Sequence, residues 1–407
     1  MPELRKIVII GGGWAGLAAA YWASRQNPEW RVMLLEKQAN IAAWVERKGL
    51  GEYPVANQSE AGVGSGFGFA PGQGAGPLLA QWPGSSTVEW LSSLGVVVHE
   101  TAGGIVLCRE PATVGERLLR ALNGNKVEIR LGYSVESVTR QPGGDFKLWS
   151  QDGLDSTGDR LIFATGGERN HGLKLAAGLG VETVDPHQAF VRLRLSNAKL
   201  GARMGPLRRE VRVRCLKSSK VEEGEMELSS RGLDGPVISR LSASLGDLWN
   251  QQGYRLQLEV DWVPGISGSA ILAELSSRAA QSSRTAVGTT PLFGFPERTW
   301  VALLGAARLD PETLWGRIKT KKLQALMNRL KADRLGTEGM GLPSGERACS
   351  GGVQLSGLKQ GSLASLAVPG IHFAGEVLAM HGLPGGNHQN LVWASAHVSG
   401  LASARDN

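Results

Sequence analysis

The sequence predicts an α/β protein: a parallel sheet plus a β-meander. Three observations predict it. Residues 5–36 read as strand, glycine-rich turn, helix and strand; residues 126–167 read as a short strand, a meander and a buried strand ending in "ATGG". A second glycine-rich turn, Gly385–Gly386, opens a last apolar helix near the C-terminus.

In the first segment "KIVII" is a strand of the fully buried type. "LAAAYWASRQ" is helical, and "RVMLLE" returns as a strand ending in Glu36. Gly11, Gly13 and Gly16 form GxGxxG. Gly11 permits the tight turn, Gly13 lets backbone approach a pyrophosphate, and Gly16 allows close packing of helix on strand, while the helix N-terminus attracts the anion. Glu36 lies where a carboxylate accepts from a ribose hydroxyl. GxGxxG alone is a weak signal, but with both strands, the helix and the terminal acid it is strong. The acid favours an unphosphorylated ribose, hence FAD or NAD over NADP.

The rest of the chain chooses between them. "KVEIRLGYSVESVTRQPGGDFKLWSQDG" turns at Gly143–Gly144 and Asp152–Gly153, and "DRLIFATGG" follows. A βαβ unit, a later meander and an ATGG strand together look like the two-part, Rossmann-like FAD domain of flavoproteins. Ala15, Lys37, Val135, Thr165 and Gly166 join the three motif glycines and Glu36 as cofactor-binding candidates.

"IIGGGWAGLAAA", "FATGG", "SSRGLDGPVIS", "GGVQL" and "GIHFAGEVLAMHGLPGGNHQNLVWASAHVSG" resemble the bacterial flavoprotein family that includes the BaiN-type oxidoreductases and the aminoacetone oxidases. The resemblance covers nearly the whole chain. It implies FAD as cofactor, with Gly375 and Glu376 at the ribityl chain and Gly385, Gly386 and Asn387 beside the isoalloxazine. The final helix would then aim its N-terminus at the ring, such a dipole contributing about 0.3–2 kcal/mol per interaction. It also implies a division into residues 1–190 (first part of the FAD domain), 191–345 (an inserted β-rich and helical substrate or cap lobe) and 346–407 (the C-terminal part). Within the insert, Asp234 before Gly235 and Pro236 reads as a helix N-cap.

The sequence also departs from the family pattern. The family's glycine loop survives only as the degenerate "GVGSGFGFAPGQGAG", residues 62–76. Ser230 and Asp234 replace a histidine and a serine, and Leu363, Ala364, Ser365 and Leu366 replace a charged stretch. Asn387, His388 and Asn390 replace a tyrosine, an asparagine and a glutamine. The carrier fold is thus a firmer inference than the substrate.

His388 is the first catalytic candidate, because an imidazole titrates near neutrality and suits proton transfer coupled to hydride movement. Asn387 and His381 are the next candidates, and Asn390 would orient substrate. The competing role for these side chains is to cap the helix. His397, about two and a half turns on, reads as structural, and packing explains Trp14 and Trp393 better than flavin contact.

Composition narrows the function. No run approaches 18 uncharged apolar residues, so no membrane span is expected. The basic, apolar start resembles a signal peptide, but regularly spaced glycines break it. Cys108, Cys215 and Cys349 are far apart and form no CxxC, so neither a redox dithiol nor a metal site is expected, and the setting reads as cytoplasmic. The net charge is +7, with basic runs at Arg208, Arg209, Arg212 and Arg214 and from Arg317 to Arg334. The second run carries Leu323, Leu326, Met327 and Leu330 on one face, as an ordinary surface helix does. The leading expectation is an FAD-dependent oxidoreductase acting on a small organic substrate. With no second GxGxxG, reducing equivalents would come from the substrate or from transient NAD(P)H. The alternatives are an FAD enzyme acting on tRNA, disfavoured because the basic runs lack interleaved aromatics, and a catalytically silent flavin-binding protein. Oligomeric state stays open.

Overall fold

The structure, a computed structural model, describes residues 5–41, 52–59, 67–69, 75–101, 103–153, 155–166, 171–245, 247–341 and 348–405. Most of the 62–76 glycine loop and Gly167 of "ATGG" lie outside these residues. The chain divides into two compact units, residues 1–188 with 348–407 and residues 189–347.

The first unit is built on a parallel sheet. Strand β1 (Lys6–Ile10) pairs with β2 (Arg31–Glu36) on one side and, much later in the chain, with Arg160–Phe163 on the other. Ile7, Val8 and Ile9 are fully buried, which is why this strand is a continuous apolar run rather than an alternating one. Helix α1 (Trp14–Gln26) connects β1 to β2. After it come β3 (Tyr53–Asn57), β4 (Phe67–Phe69), α2 (Gly76–Gln81), α3 (Gly84–Ser93), β5 (Val98–Glu100), β6 (Ile105–Cys108) and α4 (Ala112–Gly124). Strand β7 (Glu128–Leu131) joins the parallel sheet beside β2. Strands β8 (Val135–Arg140), β9 (Phe146–Ser150) and β10 (Asp155–Gly158) form the antiparallel meander. Strand β11 (Arg160–Phe163), α5 (His171–Gly178) and β12 (Thr183–Gln188) complete this part.

The second unit contains a closed barrel. Its strands are β13 (Arg192–Leu195), β14 (Leu207–Cys215), β15 (Val221–Ser229), β16 (Gly232–Asp234), β17 (Gln257–Asp261) and β18 (Asp333–Gly341), in the order β13-β16-β15-β14-β17-β18. Alternation sets its inside: Leu207, Val211, Val213 and Cys215 of β14 are buried while the arginines between them face outward or are partly covered. Closure leaves no strand edge unpaired. Helices α6 (Ala198–Met204), α7 (Pro236–Leu245), α8 (Asp247–Gln251), α9 (Gly268–Gln281), α10 (Glu297–Ala306) and α11 (Thr320–Lys331) belong to the same unit, where Trp249, Trp262, Trp300 and Trp315 are buried.

One expectation fails here. Asp234 is the last residue of β16 rather than the N-cap of α7, whose first residue is Pro236. Its carboxylate takes a two-pronged bond from Arg192 on the neighbouring β13, at 2.7 and 3.0 Å. A guanidinium that donates twice to Oδ2 is a stronger partner for a buried carboxylate than one helix N–H.

The chain then returns to the first unit as β19 (Cys349–Val353), β20 (Ile371–Phe373), β21 (Met380–Gly382) and α12 (Asn387–Ser403). Strand β20 adds to β11, giving the parallel order β20-β11-β1-β2-β7. Helix α12 is apolar or small nearly all round and buried along almost its whole length. It packs on α1 closely enough that a Cβ at Gly400 would lie 2.6 Å from the Ala19 carbonyl.

Candidate cofactor site

Three parallel strands end side by side, and the residues just beyond their carboxyl ends form the site. Gly11 follows β1, Ala164 to Gly166 follow β11, and Ala374 to Glu376 follow β20. In open parallel sheets ligands bind at this edge, where the connections diverge. The order places β1 between β2 and β11, which is such a divergence.

Each glycine in the first turn has its own reason. Gly11 has φ +109°, and a Cβ there would sit 2.4 Å from the Ala164 carbonyl oxygen. At Gly16 a Cβ would lie 1.8 Å from the Gly11 oxygen, so helix and turn could not approach. Gly13 differs. It is the N-cap of α1 with φ −72°, a conformation open to any residue, and a Cβ there would meet nothing within 4 Å. Neither strain nor packing among the described residues accounts for glycine here.

Glu36 ends β2 and turns its carboxylate back toward the turn. Oε2 accepts from Gly12 N–H at 2.6 Å and Oε1 from Gln38 N–H at 2.8 Å. Two charge-assisted bonds lock its position, and each oxygen retains acceptor capacity for a hydroxyl. Lys37 beside it is exposed. Val135 begins the meander, buried, with its carbonyl accepting from His171 Nε2 at 2.6 Å.

The predicted segments converge. A Cβ on Gly375 would come within 2.6 Å of the Ala15 Cβ, and one on Gly166 would lie 3.9 Å from Glu376 Oε2. Gly375 therefore packs directly on Ala15, and Gly166 lies beside the Glu376 carboxylate. Two buried oxygens, Thr165 Oγ1 and Asn387 Oδ1, have no hydrogen-bond partner among the described residues. Buried polar atoms are rarely left so, and both belong to segments assigned to the cofactor. The open face of Gly13 and these two oxygens fit a large polar ligand such as FAD.

The polar entrance of α12 has several separate duties. Gly386, at φ +87°, is the N-cap, and no side chain caps the helix. His388 is almost fully buried, and its Nε2 meets Glu376 Oε1 at 2.8 Å. Gln389 donates to the Tyr53 hydroxyl at 3.2 Å. Asn390 does not reach toward a substrate as expected. Its Oδ1 accepts from Asn57 N–H at 3.1 Å and its Nδ2 donates to Asn57 C=O at 2.8 Å, clamping α12 to β3. His381 lies buried on β21, next to Gly382, where a Cβ would be 2.4 Å from the His388 nitrogen. Trp393 is core: it is fully buried, donates to the Val55 carbonyl at 2.8 Å and stacks on Trp14. His397 stacks on Trp82, and burial, then the charge of Arg405, lowers its pKa to about 4.

Sequence reading missed two anchors. Ser395 Oγ accepts the Gly375 N–H at 2.9 Å, and Asn57 donates from its side chain to the Gly385 carbonyl at 2.8 Å. Ser395 and Ser399, four apart in an apolar helix, were the available signal, since hydroxyls inside such a helix seek backbone groups. Asn57 carried none.

The family match agrees with this architecture. Residues 5–402 match the family described as HI0933-like protein Rossmann domain. The chain is 25% identical over 413 residues to the 3-dehydro-bile acid delta(4,6)-reductase of Clostridium scindens, covering 98% of this chain and 99% of that one. It is 23% identical to the ribosomal RNA dihydrouridine synthase of Escherichia coli, covering 96% and 95%. Among solved structures, a 3-ketosteroid-delta4-(5alpha)-dehydrogenase from Rhodococcus jostii overlays with a TM-score of 0.48 at 12% identity, over 100% of this chain and 98% of that one. The chain belongs to the HI0933-like Rossmann family and is an FAD-dependent oxidoreductase.

Proposed function

We propose that this oxidoreductase acts on a small organic molecule, takes reducing equivalents from transiently bound NAD(P)H, and uses His388 to hold or move the substrate proton. The observation that carries the choice of substrate class is charge compensation on β14. Arg208 pairs with Glu225 and Glu227, Arg212 with Glu223 and Arg214 with Glu259, all at 2.6–2.9 Å. Arg209 is desolvated, which lowers its pKa, and covers Phe295. The densest basic run is thus neutralised across its own barrel rather than offered to phosphates. Trp149 is the sole exposed large aromatic among the described residues, and Lys147 covers it. A surface for stacking nucleobases needs several.

When bound, FAD supplies hydride transfer. The chain's own residues do the rest. Gly11, Gly13 and the α1 N-terminus receive the pyrophosphate, Glu36 takes a ribose hydroxyl, and Thr165, Gly166, Gly375 and Asn387 line the remaining length. Glu376 fixes the His388 ring by its Nε2 edge, and a carboxylate partner sets which nitrogen carries the proton. The proposed setting is cytoplasmic, in keeping with three cysteines, Cys108, Cys215 and Cys349, that are all buried. No helix among the described residues is long and apolar enough to cross a membrane.

A second reading, an RNA substrate, draws on the Escherichia coli relative and on the net charge of +7. Anaerobic flavin bleaching by NADH or NADPH, followed by reoxidation with a panel of conjugated ketones, tests the first reading. A shift with ribosomal RNA on a gel, with no ketone reoxidising the flavin, would overturn it. His388→Gln keeps a donor toward Glu376 but cannot titrate. It should retain FAD and slow the half-reaction that moves the substrate proton by about 10²–10⁴-fold; an unchanged rate would remove His388 from the chemistry.

A further inference from the structure

The first unit holds an aromatic path that packing alone does not explain. Trp14 stacks on Trp393 with ring centroids 5.2 Å apart. Trp393 meets Trp90 at 5.6 Å, and Trp90 meets Trp22 at 5.5 Å. Trp22 meets Trp82 at 5.0 Å. Trp14, Trp393 and Trp90 are buried, while Trp22 and Trp82 are partly exposed. The path therefore runs from the nucleotide turn to the surface without a gap. Its inner end is fixed by sequence, because Trp14 directly follows Gly13.

Residue choice is informative. A core needing only bulk would serve as well with phenylalanine, yet the chain carries 12 tryptophans against 8 phenylalanines, and five of the tryptophans lie on this one path. The indole of Trp90 makes no hydrogen bond among the described residues, so its N–H has no structural duty there. Trp393 and Trp82 use their N–H groups on the Val55 carbonyl and the Thr87 hydroxyl, but what every indole of the path has and a benzene ring lacks is a low enough oxidation potential to give up one electron. His397, stacked on Trp82 and touching Trp22, is held neutral by burial and places no positive charge beside the outer end.

We propose that this tryptophan ladder conducts single electrons from the surface to the cofactor site. It rests on the reading that FAD fills the cradle. The one-electron oxidant is photoexcited FAD. An inner indole, Trp14 or Trp393, gives it one electron; Trp90 refills that indole, and Trp22 or Trp82 refills Trp90. The outer indole, now one electron short, releases its ring N–H proton to water as a neutral radical. A thiol in solution then returns an electron and a proton to it. The balance is one electron gained at the cradle and one thiol oxidised by one electron outside, with no bond in the protein changed. The ladder thereby gives FAD a route to reduction that does not need NAD(P)H, and it lets an oxidising equivalent formed at the site leave through Trp22 and Trp82.

Flash illumination of the FAD-loaded protein tests this, read by the transient absorption of tryptophan radicals. FAD uptake is measured first by the visible spectrum, which separates failure of the cofactor reading from failure of the ladder. Wild type should show a long-lived tryptophan radical, and steady light with dithiothreitol should bleach the flavin. Trp90→Phe preserves the ring volume and interrupts the path, so the long-lived radical should be lost while FAD stays bound. The double variant Trp22→Phe with Trp82→Phe alters only partly exposed positions and should also lose it. After illumination in air, mass spectrometry should find oxidised indole at Trp22 or Trp82 in wild type. Equal radical lifetimes in wild type and both variants would overturn the proposal, as would oxidation confined to tryptophans off the path. A chain that takes up no FAD would overturn it together with its premise.

Discussion

Two glycine-rich turns open the two helices that pack on each other, and they use their glycines differently. At α1 the turn leaves space: Gly13 has an ordinary φ and open surroundings. At α12 the turn is consumed by the protein. A Cβ on Gly386 would lie 2.1 Å from the Ala56 carbonyl oxygen, one on Gly385 would press on Ile105, and Gln389 and Asn390 are spent on β3. The first turn keeps one glycine, Gly13, that no described neighbour requires, while both glycines of the second are fixed by contacts that hold the helix. Glycine followed by polar residues is therefore no single signal; what a Cβ would strike tells the two apart.

The largest effect should come from making the turns equal in the wrong direction. Gly16→Val would put a branched side chain where the Gly11 oxygen stands, costing more than about 3 kcal/mol by overpacking. Urea denaturation should find the variant unfolded or nearly so, and a normal midpoint would mean the helix stands farther from the turn. Next is the clamp on the other side. Asn390→Leu leaves the buried N–H and C=O of Asn57 without their partner, at about 2–4 kcal/mol for the two groups. A loss below 1 kcal/mol, on the scale of ordinary surface substitutions, would show that water replaces the clamp.

The α12 half should also be the acid-sensitive one. His372 on β20 is lowered from 6.5 to about 4, by burial first, partly offset by its bond to the Ser362 carbonyl. A histidine whose folded pKa is depressed binds its proton more readily unfolded. Stability is then fully present above pH 6.5 and is lost as pH falls from 6.5 toward 4. His372 alone removes about 2 kcal/mol by pH 5. His372→Leu should flatten that limb of the stability profile, and an unchanged slope would put the sensitivity elsewhere.

How much of this was legible in sequence follows from the range of the contacts. The β1–α1–β2 unit was readable because its period, its glycine spacing and Glu36 lie within thirty-one residues, Lys6 to Glu36. The helix at 387–403 was readable as a helix, but Asn390 binds a residue 333 positions away, and no local pattern announces that. In the barrel, alternation revealed the strands. It could not reveal that the arginines of β14 face glutamates on β15 and β17, so a basic run along the chain looked freer than it is in space. Asp234 failed for the same reason: its partner Arg192 arrives from another strand.

Gly13→Val tests most directly whether the α1 turn is kept open for FAD. With ordinary φ and no neighbour within 4 Å of an added Cβ, valine should cost the FAD-free fold only about 1 kcal/mol, as a poorer N-cap than glycine. It would stand where phosphate meets backbone. Wild-type protein should release FAD on heating, and the Gly13→Val variant should unfold within about 1 kcal/mol of FAD-free wild type but take up no FAD. A variant that binds FAD as tightly as wild type would contradict this.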